Sequence, residues 1–420
     1  MKLTLYMKRA LFWGTVFLMG VLCTTSAFAQ ETPQTITPQT IQRSPQENNS
    51  QNTLPKIAQG IRHSNTPETL YDNGLTKTHE PAHKTIQEAA PLSRAQALRD
   101  AWTVLVYFEN DLFFNEDRYY TNAVQLRVIS PDLSKFADNT FLPQGVGDFL
   151  GDVPFPGTED AVQYNISLGL GQHIYTPENT DIPFLQKDDR PYAGYLYGTL
   201  GLHAKKKNRL DTLELAAGII GPSALSEQAQ NEVHRLRDFD TAKGWDHQLK
   251  DEPVAMLTWS RSWRLNADSP DMGWGWDVLP RMAVSVGTPF TQASLGGEIR
   301  MGWNLPPDFG SSTIRPGAGI FAPTLKEELE VQNSLWDSLG IYLFLGVEGK
   351  AVAYNSFLDG NLWKSSHSVD KFPFVGEFNW GVGAHLGDFS LTFTHVHRTL
   401  EFHGQDTAQN FGSITVGYSF

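Results

Sequence analysis

The feature that most restricts this chain is a period of two in its hydrophobicity. In Val162, Gln163, Tyr164, Asn165, Ile166, Ser167, Leu168, Gly169 and Leu170, every second residue is apolar and those between are polar or small. A helix repeats every 3.6 residues and cannot sort such a pattern onto two faces, whereas a strand must. A second run, Leu295 to Trp303, puts Glu298 and Arg300 on one face and Ile299, Met301 and Trp303 on the other. One face wants hydrocarbon and the other tolerates charge. A membrane barrel uses that order with the apolar face outside, and a soluble sandwich uses the same period with the faces exchanged.

Twelve such segments can be counted, near 102–110, 119–129, 162–174, 192–204, 209–220, 253–264, 274–286, 291–303, 340–354, 372–386, 388–398 and 411–420. Most have the roughly 9 to 11 residues that a tilted membrane-crossing strand needs, and the count is even, as in bacterial single-chain barrels. The last ends Ile414, Thr415, Val416, Gly417, Tyr418, Ser419, Phe420, with Ile414, Val416, Tyr418 and the terminal Phe420 on one face. This resembles the closing strand by which outer-membrane barrels are recognised by the assembly machinery that inserts them. No apolar run after the first thirty residues reaches the roughly 18 residues of a membrane helix. The expected fold is therefore all-β, an antiparallel transmembrane β-barrel of about twelve strands. The connections 130–161 and 304–339 are long for periplasmic turns and are its least regular parts.

Ahead of the barrel, residues 1–29 carry Lys2, Lys8 and Arg9, an apolar run, and Ala27-Phe28-Ala29, the pattern of a secretory signal with its cleavage site. The only cysteine, Cys23, falls inside that signal, so no disulfide is expected in the mature chain. Residues 30–95 are rich in Thr, Gln, Pro, Asn and Ser and read as a polar leader too poor in apolar residues to fold alone. Residues 96–420 are assigned to the barrel. A formal net charge of -13 argues against nucleic acid as a partner. It is compatible with the lipids of an outer membrane, whose surface divalent cations bridge.

Two connections carry chemistry. Between the first two strands, residues 109–122 crowd Glu109, Asn110, Asp111, Asn115, Glu116, Asp117, Thr121 and Asn122 into a hairpin tip. Hard oxygens in a tight turn suit a Ca²⁺-type cation; Zn²⁺ or Cu²⁺ would prefer imidazole or thiolate. After the fifth strand, residues 221–235 read as a helix begun by Gly221-Pro222 and a serine cap, with Gln230 and His234 four apart on one face. In an up-and-down barrel, connections after odd-numbered strands share one rim, so hairpin and helix meet. With the chain start and short turns such as Lys206-Lys207-Asn208 in the periplasm, that rim is extracellular. Alternation with Ala123, Gln125 and Arg127 predicts that Thr121 points into the lumen. There is no Gly-x-Ser-x-Gly elbow and no His-Glu-x-x-His motif. What remains is water attack, with Ca²⁺ to polarise a carbonyl and a histidine to take the proton.

At these residues the chain resembles the outer-membrane lipid A 3′-O-deacylases, calcium-dependent twelve-stranded barrels. The resemblance runs through Asn110-Asp111, Tyr120-Thr121, Gln172 to Pro177, Asp189-Arg190, Gly221-Pro222, Gln230 to His234, and Gly244-Trp245 with Gln248. It implies hydrolysis of the 3′-linked acyloxyacyl chain of lipid A, with lipopolysaccharide as substrate and Ca²⁺ as cofactor. It implies that Asn110, Asp111 and Thr121 belong to the calcium site, that Gln230 lies beside it and that His234 activates water. The family's acidic residue six positions after the histidine falls on Asp240, an aspartate in place of glutamate. Lys187 is the only lysine in 175–191, where the family carries a site lysine. Arg190 is the anion-binding alternative, because a guanidinium can grip phosphate in bidentate fashion.

Two rivals are weighed against this. An outer-membrane phospholipase would use a serine nucleophile, and a porin would need an open lumen. His395, His397 and His403 are read as rim or lumen residues, and Trp274, Trp276, Trp303 and Trp380 as interfacial anchors.

Overall fold

The computed structural model describes residues 101–114, 118–152, 163–206, 208–236, 238–266, 273–310, 313–318 and 338–420. The expected signal segment and leader lie outside them, as do Asn115, Glu116 and Asp117 of the hairpin tip. Twelve antiparallel strands close into one barrel, each paired with its neighbours in sequence and β1 with β12. They are β1 (Thr103–Asn110), β2 (Tyr119–Ile129), β3 (Gln163–Thr176), β4 (Ala193–Lys206), β5 (Arg209–Ile220), β6 (Glu252–Trp263), β7 (Trp274–Gly287), β8 (Phe290–Trp303), β9 (Leu339–Asn355), β10 (Phe374–Leu386), β11 (Phe389–Arg398) and β12 (Gln409–Ser419). Among the described residues, three α-helices lie in the connections: α1 (Gln144–Asp152), α2 (Ser226–Leu236) and α3 (Ser356–Asp359).

Alternation sorts the faces as expected. Ile299, Met301 and Trp303 are exposed on the outer wall while Arg300 between them is fully buried. Trp274, Trp276 and Trp380 are likewise exposed. Inside, charge is neutralised by pairing, as a low-dielectric interior requires. Arg127 meets Glu214 at 2.8 Å, Arg300 reaches Asp277 at 2.7 Å and Asp308 at 2.6 Å, and Arg264 joins Asp277 at 2.7 Å. Arg315 pairs with Glu348 at 2.8 Å, and Arg398 with Glu377 at 2.7 Å.

The described parts of the two long connections pack against the barrel. Phe136 and Leu150 of the first lie against Ile166, Leu202 and Ala204 of β3 and β4. Residues 313–318 of the second run inside the lumen. There the backbone N–H of Ile314 donates to Glu109 Oε1 (2.7 Å) and that of Gly317 to Glu214 Oε1 (3.0 Å). Ser260 Oγ and Arg281 Nη2 donate to the carbonyls of Gly317 (2.7 Å) and Pro316 (2.6 Å). This plug and the ion pairs occupy the bore that a porin would leave open.

Removing one member of a buried ion-pair cluster strands its partners and costs about 3–5 kcal/mol. Asp277→Ala, which leaves Arg264 and Arg300 without their shared carboxylate, should lower the urea midpoint of the heat-modifiable folded species by a corresponding amount. An unchanged midpoint would show that the cluster is dispensable.

Candidate active site

The site begins at the ends of β1 and β2. Glu109 pairs with Ala123 and Asn110 with Asn122. Because strand residues alternate, Glu109 points into the lumen, where it accepts from the Tyr120 hydroxyl at 2.7 Å. Phe108, Asn110, Asn122 and Val124 point the other way, to the outer wall. That wall is covered here: Phe108, Val124 and Ile174 pack in one buried cluster with Ala229 and Val233 of α2, and with Tyr192, Ala242 and Trp245 of the flanking loops. Phe113 of the hairpin packs against the same cluster.

The helix reaches the wall because Gly194 leaves room for it. A Cβ at this position would lie 2.5 Å from Ser226 Oγ. Gln172 Nε2 donates to the Ala224 carbonyl at 2.7 Å, and Ser226 Oγ donates to the His173 carbonyl at 3.3 Å. Ser226, a candidate for the helix cap, is thus spent on docking, and Ser223 bonds the Asp251 carboxylate (2.8 Å).

Docking buries the polar stripe of the helix with its apolar one. Gln230 and His234, each adjacent to a packing residue, are 2% and 4% exposed. Trp245 Nε1 donates to Gln230 Oε1 at 3.0 Å. Indole N–H is a donor only, so this contact fixes which end of the amide is oxygen. Gln230 Nε2 then faces away from Trp245, buried and with no hydrogen-bond partner among the described residues. His234 Nδ1 lies 2.6 Å from the carbonyl oxygen of Asp240. A carbonyl can only accept, so Nδ1 carries the proton and the neutral ring keeps its lone pair on Nε2.

The oxygen donors are equally buried. Asp111 is fully enclosed and its Oδ2 accepts the Arg118 N–H at 2.7 Å; Asn110 Oδ1 accepts the Leu112 N–H at 2.7 Å. Thr121 departs from the expectation of a lumenal side chain. The β2–β3 register slips between Tyr120 and Asn122, a bulge that leaves Thr121 as the extra residue. Its Oγ1 contacts Thr176 Oγ1 at 2.8 Å, on the face opposite the lumenal Tyr175. A bulge re-aims one side chain at the cost of a local break in the ladder and a reversal of alternation across it. Asn122 Nδ2 is buried beside these groups with no partner among the described residues; the sequence placed Asn122 in the oxygen-rich tip without giving it a role.

Three expected site residues are placed elsewhere. Asp240 is exposed, and its backbone carbonyl orients His234. Arg190 turns to the lumen mouth, stacking over Tyr175 (4.8 Å) and pairing with Glu401 (3.3 Å), fully buried. Lys187 stands exposed on the 177–192 loop. Lys243 ties that loop to the segment after α2, through its N–H to Thr180 O and its ammonium to Asp181, both 2.9 Å. In the same loop, burial pushes the Asp189 carboxyl above the ordinary carboxylate range, against hydrogen bonds from the Glu178 and Arg190 N–H groups.

The donor set suits a hard cation. Asp111, Asn110 and Thr121 offer oxygen alone, the donor type a hard cation prefers; among the described residues no group of three or more His, Cys, Asp or Glu side chains is gathered to hold a metal ion of any kind. A Ser–His contact does exist, Ser167 Oγ to His203 Nε2 at 2.8 Å, with His203 Nδ1 against Thr212 at 2.9 Å. All three are sealed in the wall of the lumen. His395 and His397 share Asn410 at 3.3 and 2.9 Å at the rim.

A closed, plugged twelve-stranded barrel with a helix clamped to its outer wall defines an outer-membrane barrel protein whose candidate chemistry lies outside the lumen. The sequence matches the family described as outer membrane protein LpxR over residues 84–420, and the chain belongs to that family. Its structure is similar to LpxR from Salmonella typhimurium, with a TM-score of 0.57 and 18% identity, covering 76% of this chain and 100% of that one. The β domain of the Bordetella autotransporter BrkA also aligns, at a TM-score of 0.36 and 11% identity over 76% of this chain and 98% of its own. No curated protein matches.

The docking account gives a direct expectation. Gly194→Val places a side chain where Ser226 now sits, and overpacking of this kind costs about 1–3 kcal/mol. The barrel should remain heat-modifiable while α2 loosens, red-shifting the emission of buried Trp245 and opening 236–243 to protease. Unchanged emission and protection would mean that the helix is held by other contacts.

Proposed function

We propose that the protein is an outer-membrane esterase that hydrolyses the 3′-linked acyloxyacyl chain of lipid A, with Ca²⁺ as cofactor and its site toward the extracellular leaflet. The observation that carries this reading is the fixed donor–acceptor pair on α2: an imidazole held by its Nδ1, which leaves the lone pair of the neutral ring on Nε2, and an amide held with its N–H₂ turned away from Trp245. Membership of the LpxR family supports lipid A as the substrate. Placement supports it independently, because an ester carried by a membrane lipid can approach an outer-wall site laterally without entering a plugged lumen.

In this mechanism His234 Nε2 takes a proton from water as the water oxygen bonds to the ester carbonyl carbon. Gln230 Nε2 donates to the carbonyl oxygen as negative charge develops there, the role of an oxyanion-hole donor. The proton then passes from His234 to the departing sugar oxygen as the carbon–oxygen bond breaks, releasing the acid. Asp111 with Asn110 and Thr121 would hold Ca²⁺, which when bound supplies Lewis-acid polarisation of the carbonyl. Lys187 is the cation left open to meet a lipid phosphate, Arg190 being committed to Glu401.

Loss of a general base costs about 10² to 10⁴ in rate, and loss of an oxyanion donor about 10² to 10³. His234→Ala and Gln230→Ala should each fold as heat-modifiable barrels yet release acyl chains at about one per cent of the normal rate or less. Asp111→Ala, or the unaltered protein in excess chelator, should also be inactive, calcium restoring only the latter. Near-normal release by folded His234→Ala would place the base elsewhere, and full activity in chelator would remove the metal from the mechanism. Trp245→Phe keeps the ring but frees the Gln230 amide to rotate, so the turnover number should fall by about tenfold with little change in KM.

A further inference from the structure

Asn110, Asp111 and Thr121 sit at the ends of two strands, next to a hairpin tip and within a bulge, where a ladder alone holds the backbone loosely. Immediately before Asn110 and Thr121 in the chain are Glu109 and Tyr120. Both point into the lumen and both are almost fully buried, at 1% and 3% exposure. Their side chains are joined across the two strands, the Tyr120 hydroxyl donating to Glu109 Oε2 at 2.7 Å. The other carboxylate oxygen, Oε1, accepts the backbone N–H of Ile314 in the lumenal plug at 2.7 Å. One carboxylate therefore fastens β1, β2 and the plug together on the face opposite the oxygen donors.

We propose that Glu109 is a positioning residue for the cation site, acting through Asn110 and Thr121 and touching neither cation nor substrate. The inference rests on the calcium-site reading given above. Strand alternation supplies the mechanism: a side chain anchored inside fixes the twist of its own residue, and so the direction in which the next one points outside. The bulge makes the anchor necessary, because the register slip at Thr121 removes a ladder constraint where the oxygen must be aimed. The plug bond makes the anchor rigid, since Ile314 lies 205 positions away in sequence and cannot follow a local fluctuation of the hairpin. Metal ligands are generally aimed by such outer contacts, and disturbing them weakens metal affinity by about 10- to 100-fold.

The test is Ca²⁺ binding to the full-length detergent-solubilised protein, measured by calorimetry, alongside the calcium dependence of lipid A hydrolysis. Glu109→Ala should raise the Ca²⁺ dissociation constant about tenfold or more, while activity at saturating Ca²⁺ recovers to within about threefold of normal. Glu109→Gln keeps one accepting oxygen for the Ile314 N–H and puts an N–H₂ where it can donate to the Tyr120 hydroxyl oxygen, so it should bind Ca²⁺ within about twofold of the unaltered protein. Tyr120→Phe, which removes one hydroxyl and little volume, covers the case in which Glu109→Ala fails to fold, and should weaken Ca²⁺ binding in the same direction. Folded Glu109→Ala or Tyr120→Phe with unaltered Ca²⁺ affinity would overturn the proposal, as would a loss of turnover that saturating Ca²⁺ does not restore. If the unaltered protein itself binds no Ca²⁺, the calcium-site reading fails first, an outcome distinct from either.

Discussion

Alternation along β1 and β2 is the constraint on which the rest of the structure depends. Neighbouring residues must face opposite sides of the wall, so a strand end that closes the lumen also builds something outside. At residues 109 and 110 the two jobs are one bond apart: Glu109 receives Tyr120 and the plug within, while Asn110 stands beside Asp111 and Asn122 beneath the helix. The same rule runs round the barrel. Arg300 is sealed among carboxylates and its neighbours Ile299 and Met301 face the surroundings.

With the lumen plugged, the candidate site lies on the outer wall. Plug residues 313–318 and the ion pairs divide the lumen of the described residues into small cavities, one of about 100 Å³ lined by Tyr120, His173, Tyr195, Tyr197 and Arg398 among others. The outer wall under α2 joins buried polar groups, Gln230 and His234, to an apolar cluster. Gly194 permits that junction by letting the helix approach, and the cluster of Phe108, Val124, Ile174, Ala229 and Val233 holds it. Burial in turn gives direction to two polar side chains. Trp245 assigns the ends of the Gln230 amide, and the Asp240 carbonyl assigns the tautomer of His234. Neither orientation needs a charged partner.

Most of the barrel was legible in the sequence because period two is a local signal. All twelve expected strands are present with ends within two residues, and α2 covers the stretch where Gln230 and His234 were placed on one face. What was not legible is what alternation cannot encode. A bulge adds one residue and reverses parity, so counting outward from Ala123 put Thr121 in the lumen when its hydroxyl meets Thr176 on the other side. Arg190 has the chemistry of a phosphate ligand, and only the fold shows Glu401, 211 positions away, already holding it. Asp240 was expected for its carboxylate and contributes its carbonyl, a group every residue has and no motif reveals. Trp245 lay within the stretch that resembles the deacylases; its bond to Gln230 is the signal that gives it a role. The plug arises from one of the two connections whose length was out of keeping with a turn, a hint that did not say which of them entered the lumen.

Family membership, an outer-wall site and a fixed His–Gln pair lead to one claim, that this barrel removes an acyl chain from lipid A. Mass spectrometry of lipid A from cells with and without the protein tests it most directly, with extraction in the presence of Ca²⁺. The account predicts that the protein shifts lipid A to a species lighter by one acyloxyacyl unit at the 3′ position. Lipid A unchanged in mass, from cells whose outer membrane holds the folded barrel, would contradict it.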